Sequence, residues 1–418
     1  MTKEKLFTPY QTFLIAILAI LQFAIILDFM VLSPLGAQLM PRLNINPSQF
    51  GLVVSAYAFS AGASGLLAAG FADRFDRKKL LMFFFAGFIA GTFLCGLASS
   101  YPLLLAARVV TGIFGGVIGS ISFAIITDIF PLQTRGRVMG FVQMAFAVSQ
   151  VLGLPIGLYL SNIWDWHAPF LMIAILSIPI FGLIYWKMKP VDAHLSIQKE
   201  NSAFEHLILT VSKRRYLLAF SATTLLATGG FMLMPFGSAF AVNNLGVQLT
   251  DLPLIYLITG ICSIIAGPLI GKLTDQIGTI RVFAGGSALA VILVLIYTNL
   301  GVTPLWLLIA LNSILFVAIT ARMISSSALV TAVPAPADRG AFMGVNASVS
   351  QISGGIASAI AGLIVYQSAG GRLEHYPILG LVVATTMFIC VWLMYNIYKE
   401  VRSTQQPAPE VEVALSQP

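Results

Sequence analysis

One carboxylate in this 418-residue chain lies deep within an apolar run. Asp28 follows residues 13–27, a stretch without a single charged side chain. An ionised carboxylate in such surroundings is costly, so it should face a cavity, exchange a proton readily and attract cationic guests. A structural Asp locked in a salt bridge is the alternative interpretation.

Arg108 follows a second uncharged run, residues 80–107. Measured from the outer ends of the helices that hold them, Asp28 lies roughly 16 Å deep and Arg108 roughly 9 Å deep. The guanidinium can then reach the carboxylate directly or through a water. Because a nearby cation competes with protonation, proton arrival would be coupled to release of the pair. The alternative is an Arg that snorkels to the membrane interface.

Membrane-spanning helices must hold these two residues. The chain is 58% hydrophobic and 9% charged, with a mean hydropathy of +0.91, whereas soluble domains carry about 25% charged residues. Only helices and closed barrels cross a bilayer, and the runs are continuous rather than alternating, which excludes a barrel. The predicted spans are 12–39, 47–72, 79–98, 102–129, 138–162, 166–188, 216–243, 251–271, 280–299, 303–332, 340–368 and 375–399.

The net charge of +7 is distributed asymmetrically and does not indicate nucleic-acid binding. With the N-terminus inside, 19 of the 23 Lys and Arg residues face one side. Only Arg42 and Arg372 face the other, while Arg108 and Arg322 fall within spans. By the positive-inside rule, we expect a multi-pass protein of the cell inner (cytoplasmic) membrane with both termini cytoplasmic. Arg322, near the inner rim, is expected to snorkel.

The chain contains an internal repeat. Asp28-Phe-Met-Val-Leu-Ser-Pro34-Leu-Gly36 is echoed by Gly230-Phe-Met-Leu-Met-Pro235-Phe-Gly237. The sequence therefore predicts an all-α membrane protein of twelve transmembrane helices, in two six-helix bundles related by a pseudo-two-fold axis along the membrane normal. Asp28 has Gly230 as its counterpart, so the shared helix scaffold does not require a carboxylate there.

The repeat and the charged segments set the predicted boundaries. Residues 1–189 form the N-terminal six-helix bundle, and residues 190–215, which are rich in charge, form a cytoplasmic linker. Residues 216–400 form the C-terminal bundle, and residues 401–418 form a disordered cytoplasmic tail.

The loop after the second span resembles a motif of the major facilitator superfamily. It reads Ala69-Gly-Phe-Ala-Asp73-Arg74-Phe-Asp76-Arg77-Lys78-Lys79, with Ala69 and Asp76 where the family pattern has glycine. The equivalent loop of the second half, Gly271-Lys-Leu-Thr-Asp275-Gln-Ile-Gly278, keeps both glycines. The resemblance covers residues 12–400 and implies the same fold of two six-helix bundles.

Two further motifs resemble those of twelve-span drug:proton antiporters. Arg108-Val-Val-Thr111-Gly112 is similar to their Arg-x-x-Gln-Gly motif, which implies a proton-transfer role for Arg108. Gly153-Leu-Pro155-Ile-Gly157 is similar to the Gly/Pro-rich motif of exporters, with its proline one residue later. The resemblance implies export.

The charged loops are predicted to form a cytoplasmic gate. Asp73 could accept hydrogen bonds at the positive start of span 11, and Asp128 is placed to pair with Arg77. Such bonds would hold an outward-open state and break in the inward-open one. The alternative is that the charges only orient the protein. The gate residues are Asp73, Arg74, Arg77, Lys78, Asp128 and Asp275.

Several aromatic, methionine and amide side chains within the spans are predicted to line a substrate cavity between the halves. Packing between helices and interhelical hydrogen bonds are the alternative explanation. The cavity residues are Phe29, Met30, Gln143, Phe231, Met234, Asn312 and Asn346.

We therefore expect a proton-coupled secondary transporter that exports hydrophobic or cationic small molecules by alternating access. Proton-coupled uptake or exchange of a sugar, metabolite or lysolipid is one alternative, and a non-transporting membrane sensor on the same fold is another. No Gly-x-x-x-x-Gly-Lys-Ser/Thr run is present, so ATP is not the fuel. We expect no enzymatic reaction, no cofactor and no metal. The expected partners are a small-molecule substrate, protons and the lipid bilayer, without nucleic acid, and the functional unit is a monomer.

Overall fold

The computed structural model describes residues 7–192, 195, 212–335 and 338–405, without the side chains of residues 69–71, 73, 132, 339–340 and 403–405. Within this part of the chain, twelve helices are long and apolar enough to cross a membrane. Most of the predicted linker (190–215) and of the predicted tail (401–418) lies outside the described residues.

The twelve spans follow the predicted order, with bounds that differ by a few residues from those expected. In order they are Pro9–Val31 with Gly36–Leu43 (span 1), Pro47–Phe71, Arg77–Cys95, Tyr101–Ile129, Leu132–Val148 with Leu154–Ile163 (span 5), Ala168–Lys187, Arg214–Leu233 with Gly237–Asn243 (span 7), Leu252–Ile277, Thr279–Thr298, Leu305–Thr331, Arg339–Ile364 and Tyr376–Gln405 (span 12).

Local sequence signals fix where several spans begin. Asn46 caps span 2 by accepting a hydrogen bond from the Gln49 backbone N–H at 2.9 Å, and Pro47 occupies the first turn. Asp76 caps span 3 by accepting from the backbone N–H of Lys78 at 2.7 Å. Both arrangements satisfy backbone donors that a helix start leaves free.

Spans 1 and 7 are broken at equivalent places. The first helix of span 1 ends at Val31, before Pro34, and a 3₁₀ turn over Met234–Phe236 interrupts span 7 around Pro235. Proline removes a backbone donor and clashes with the preceding turn. The repeat seen in the sequence therefore extends to the shape of the helices, and Asp28 lies about one turn before the break.

We call the face that carries the loops 73–79 and 135–137 the basic face. Spans 2 and 11 stay in contact towards this face, where a Cβ at Gly62 would lie 3.1 Å from the Ser348 carbonyl oxygen. At the other face, spans 2 and 11 approach closely: a Cβ at Gly51 would lie 2.7 Å from the Ser358 carbonyl oxygen. Spans 5 and 8 meet at mid-depth, where a Cβ at Gly260 would lie 2.8 Å from Val151. Nearer the basic face, Gly140 and Gly271 on these spans have open space around them. The close contact between spans 5 and 8 therefore lies at mid-depth and not at Gly140 or Gly271.

A short hairpin between spans 11 and 12, which the sequence does not predict, lies at the face opposite the basic face. Its strands, β1 (Tyr366–Gln367) and β2 (Leu373–Glu374), pair antiparallel. The Asn244 side chain at the end of span 7 exchanges two hydrogen bonds of 2.9 Å with the Leu373 backbone. The hairpin thus holds spans 7 and 12 together at the face opposite the basic face.

Candidate functional site

Asp28 and Arg108 form a salt bridge inside the first half. Arg108 Nη1 lies 2.8 Å from Asp28 Oδ2, and Thr92 Oγ1 donates to Asp28 Oδ1 at 3.1 Å. The side chains are completely buried, with 0% exposure for Asp28 and 1% for Arg108. Spans 1, 3 and 4 each contribute one residue. The contact expected from the sequence is present, and the role of the pair in coupling stays a prediction.

The expectation that Asp28 faces a cavity is not met in this structure. Its carboxylate is sealed by the guanidinium of Arg108 and the hydroxyl of Thr92. The bonds to Arg108 and Thr92 take the place of the water molecules that would hydrate an exposed carboxylate. A proton or a substrate therefore reaches Asp28 only if the surrounding helices move.

Tyr57 on span 2 completes the surroundings of this pair. The Arg108 guanidinium lies 4.5 Å from the centre of the Tyr57 ring, a cation–π geometry that stabilises a desolvated cation. Tyr57 and Thr92 are absent from the sequence-based site. Both are uncharged, and a single sequence carries no signal for the helix face on which a neutral polar residue lies.

A series of aromatic contacts leads from this pair to the second half. The Tyr57 ring lies 5.2 Å from the Phe29 ring, and the Phe29 ring lies 5.5 Å from the Phe231 ring of span 7. Phe231 in turn packs against Gly354 of span 11, where a Cβ would come within 2.9 Å of the ring. Two residues predicted for the cavity, Phe29 and Phe231, thus meet at the interface between the halves.

The other apolar residues predicted for the cavity belong to the same hydrophobic cluster, which includes side chains of both halves. Met30 is buried within it, and Met234 is half-buried against it, as are Phe29 and Phe231. Gln143 is exposed on span 5. That these residues line a substrate cavity stays a prediction.

The two predicted amides make hydrogen bonds within the second half. Asn312 Nδ2 donates to the Leu308 carbonyl of its own helix at 3.1 Å, and Asn346 Oδ1 accepts from Thr223 Oγ1 at 2.7 Å. The bond of Asn346 joins spans 11 and 7. Interhelical hydrogen bonding of this kind is the alternative explanation given above for the amide residues.

The exporter-type motif packs span 5 against span 1 on either side of Asp28. The helix passes through a π turn at Ser149–Gly153 and restarts with Pro155 in its first turn. A Cβ at Gly153 would lie 2.6 Å from Leu27, and one at Gly157 would lie 3.1 Å from Val31. The small residues therefore permit close contact with the segment that carries the carboxylate.

Among the gate residues, Arg77 and Asp128 form the expected ion pair, with Arg77 Nε 3.2 Å from Asp128 Oδ2. Arg77 Nη1 also donates to the Ala72 carbonyl at 3.0 Å, and Lys78 Nζ donates to the Tyr185 carbonyl at 2.9 Å. All of these partners belong to the first half. The pair is intact in this structure and holds the loop against span 4. Its part in a cytoplasmic gate stays a prediction.

The remaining gate residues show no contact between the halves in the described part of the chain. Arg74 and Asp275 are exposed. Asp73 lies in a short 3₁₀ turn, Ala72–Arg74, and its side chain is outside the described part. The predicted interaction of Asp73 with the start of span 11 stays a prediction.

A second ionic contact near the basic face holds span 7 to the loop before span 11. Lys213 Nζ donates to Asp338 Oδ2 at 2.5 Å, and Tyr216 Oη donates to the same oxygen at 2.6 Å. The hydrogen bond to Asp338, together with the charge of that carboxylate, raises the pKa of Lys213. Lys213 was assigned to the linker by the sequence, and Asp338 was not singled out.

Known proteins resemble this chain over both halves. The sequence model of the Major Facilitator Superfamily matches residues 18–236 and 219–417. The Bacillus subtilis protein described as Uncharacterized MFS-type transporter YceJ is 28% identical over 273 residues, which cover 64% of this chain and 68% of that protein.

Two relatives from Schizosaccharomyces pombe match shorter regions. The vacuolar membrane amino acid uptake transporter fnx2 is 35% identical over 150 residues, or 36% of this chain and 26% of fnx2. The multidrug resistance protein fnx1 is 32% identical over 137 residues, or 33% of this chain and 26% of fnx1. Each match therefore covers about a quarter of the relative.

The fold matches a solved structure of a bacterial homolog to the human lysosomal transporter Spinster, in an inward-facing and unoccupied conformation. The TM-score is 0.76 at 17% identity, covering 96% of this chain and all of the other. At that identity the likeness shows the fold alone, and it confirms the predicted two-bundle architecture. With its family model matched in both halves and its twelve membrane-length helices in that fold, the chain belongs to the Major Facilitator Superfamily and is a membrane transporter, not an enzyme.

Proposed function

We propose that this transporter is a proton-coupled antiporter that exports hydrophobic or cationic small molecules by alternating access. The observation that carries the proposal is the buried bond between Asp28 and Arg108, in a half that has no other carboxylate deep within a span. Intramembrane ionisable residues are costly and are usually retained for function. Asp28 is the proton-binding group, and Arg108 controls its access.

Proton binding changes the forces within this pair. An ionised Asp28 attracts the guanidinium through a charge-assisted hydrogen bond. A proton on the carboxylate removes that attraction and leaves Arg108 as the only charge, so the bond across spans 1 and 4 weakens. A cationic substrate competes with the proton for the same carboxylate, which is the basis of exchange.

The neighbouring contacts provide a route from this local change to the interface. Leu27 and Val31, on either side of Asp28, pack against Gly153 and Gly157 of span 5. Phe29, the next residue in the chain, contacts Phe231 of the other half. A small movement of span 1 therefore changes its contacts with span 5 and with Phe231 at the interface. The two halves rock against each other at this interface.

The proposed orientation places the basic face in the cytoplasm, with both chain termini on that side and the protein in the cell inner membrane. It is supported by the excess of Lys and Arg on that face. In this orientation the ends of spans 5 and 8 that carry Gly140 and Gly271 lie at the cytoplasmic side, from which an exporter loads its substrate.

The substrate class rests on the apolar and aromatic character of the interface around Phe29 and Phe231 and on the single carboxylate close to it. The name of fnx1 agrees with drug export, and that of fnx2 favours uptake of a metabolite as the alternative. An uptake carrier for a zwitterionic metabolite needs polar partners for both of its charges. Of the polar residues predicted for the cavity, Asn312 and Asn346 are already bonded to protein groups.

The test uses the purified full chain in liposomes, with ethidium as a hydrophobic monovalent cation. An imposed pH gradient is expected to drive ethidium in the direction opposite to proton flow. Asp28→Asn should abolish this movement, and Asp28→Glu, which keeps a carboxyl group, should retain part of it. Size-exclusion chromatography of the purified Asn variant shows that the variant still folds. Gradient-driven flux that survives in Asp28→Asn would overturn the coupling claim.

A further inference from the structure

Arg322 is buried in the second half without a partner for its charge. It lies on span 10 with 5% of its surface exposed, and its Nε and Nη2 atoms have no hydrogen-bond partner in the described part of the chain. Its guanidinium lies 5.8 Å from the centre of the Phe283 ring of span 9. The side chain therefore packs inside the protein, which corrects the expectation that it snorkels to the membrane interface.

The sequence around Arg322 contains no obvious counter-ion. Between residues 252 and 399 the only carboxylates are Asp275, Asp338 and Glu374. Asp275 is exposed near the end of span 8, Asp338 is bonded to the start of span 7, and Glu374 lies in the hairpin at the far face. Arg108, the other Arg within a span, has a carboxylate at 2.8 Å. A buried cation without such compensation is strongly unfavourable.

Two buried hydroxyl groups near Arg322 are also without partners. Ser325 is 0% exposed and follows Arg322 by one turn on span 10, so both lie on the same side of the helix. Ser287 is 2% exposed and follows Phe283 by one turn on span 9, on the face that meets Arg322. Helix spacing therefore puts the two hydroxyls on the same helix sides as Arg322 and Phe283, whose side chains meet between spans 9 and 10.

The chemistry of these groups favours an anion over a water molecule. Guanidinium nitrogens only donate, and hydroxyls are able to donate. One water accepts two hydrogen bonds and would leave the charge uncompensated, whereas an anion neutralises Arg322 and is able to accept hydrogen bonds from the guanidinium and from nearby hydroxyls. The Cys390 thiol of span 12 interacts with Arg322 through a side-chain hydrogen bond. A thiol carries no charge, so it does not serve as the counter-ion.

We infer that Arg322, Ser287 and Ser325 form a binding site for a small monovalent inorganic anion of the chloride class. The limit on size comes from the helix contact itself. A Cβ added at Gly286 would lie 3.0 Å from Ala321 and 3.2 Å from the Ala318 carbonyl oxygen. Spans 9 and 10 are thus too close here for a bulky ligand.

A cavity at the basic face offers the anion an entrance. It has a volume of about 480 Å³ and lies between the ends of spans 9, 10 and 12. Ala328 lines it and follows Arg322 by six residues, roughly 9 Å along the helix. Arg402 lies at the same cavity and adds a positive charge. Anions would be concentrated there before they reach the buried site.

The experiment measures the apparent melting temperature of the purified full chain in a neutral detergent. Sodium chloride, bromide and gluconate are titrated at constant ionic strength. Chloride and bromide are expected to give a saturable rise of several degrees, and gluconate, which is too large, none. Arg322→Gln should abolish the rise. Arg281→Gln removes an exposed Arg from the same end of span 9 and should leave it unchanged.

A second variant covers the case in which Arg322→Gln does not fold. Ser287→Ala/Ser325→Ala keeps the charge but removes two donors, and should raise the half-saturating chloride concentration at least tenfold, since each hydrogen bond to a charged group is worth about that factor. An unchanged chloride titration in this variant, or a rise equal in chloride and gluconate, overturns the proposal. So does stabilisation by the anionic lipid phosphatidylglycerol without any effect of chloride, because a lipid phosphate is then the ligand.

Discussion

Phe29 and Phe231 occupy equivalent positions in the two halves, and their rings meet across the interface with centres 5.5 Å apart and planes inclined at 45°. Phe29 also touches Tyr57, whose ring lies against Arg108. The residue that follows Asp28 in sequence is thus one of those that join the halves. Local rearrangement at the carboxylate and relative motion of the bundles share one short segment of span 1.

Truncation of these two rings is expected to weaken ethidium transport in a non-additive way. Phe29→Ala and Phe231→Ala each remove the same aromatic contact, which is worth about 0.5–1.5 kcal/mol beyond burial. The double variant should therefore lose less than the product of the two single losses in initial ethidium flux. Phe388→Ala, on the 65%-exposed Phe388 of span 12, serves as the control and should leave flux unchanged. Strictly multiplicative losses would mean that the rings act independently.

The fold was accessible from the sequence because a bilayer restricts the choices. Runs of sufficient length must be helices, and charged or Pro/Gly-rich breaks mark their ends, so the predicted spans agree with those of the structure to within a few residues for most ends. The breaks in spans 1 and 7 and the π turn at Ser149–Gly153 were not predicted. They depend on how a neighbouring helix satisfies freed backbone groups, which hydropathy does not record.

The candidate site was accessible only in part. A charge within an apolar run is conspicuous, so Asp28 and Arg108 were found and their contact anticipated. Thr92 and Tyr57 are neutral, and their contact with the pair depends on the rotation of spans 2 and 3 about their axes. The same reasoning explains the error for Arg322: its depth was readable from the sequence, but its enclosure by spans 9 and 12 was not.

Substitution of Asp28 and substitution of Arg108 are expected to lower the free energy of unfolding by different amounts. Asp28→Asn leaves a buried guanidinium that cannot release its proton, so the free energy of unfolding should fall by about 3–5 kcal/mol. Arg108→Gln leaves a carboxyl group that becomes neutral by binding a proton, and should cost less. Apparent melting temperatures in detergent, measured for both variants at one pH, provide the comparison.

The double variant Asp28→Asn/Arg108→Gln is the control for this comparison. It replaces both charges by amides of similar shape, so it should be more stable than Asp28→Asn alone. A double variant less stable than either single variant would show that the bond itself contributes little, and that both side chains act through packing.

Exchange of a monovalent cation for protons is expected to be electroneutral. Asp28 is the only carboxylate deep within a span, so one proton is exchanged for one ethidium ion and no net charge crosses the membrane. Ethidium flux driven by a pH gradient should then be unaffected when a potassium diffusion potential of either sign is imposed with valinomycin. A flux that changes several-fold with the potential would require a second coupling ion or a different stoichiometry.

Loss of the Arg77–Asp128 bond is expected to shift the protein towards the state that is open at the basic face. This bond holds the loop 73–79 against span 4 within the first half, and a gate built from that loop closes only if the loop is correctly placed. Gly140, which has open space around it, is the reporter position: Gly140→Cys, in a Cys262→Ser background, is labelled with a membrane-impermeant maleimide. Arg77→Ala and Asp128→Ala should each accelerate labelling by up to tenfold, which corresponds to about 1.4 kcal/mol.

The combined variant should add nothing further, because both changes remove one bond. Lys79→Ala, an exposed residue of the same loop, should leave the labelling rate unchanged; equal acceleration by Lys79→Ala would assign the effect to the charge of the loop and not to the bond.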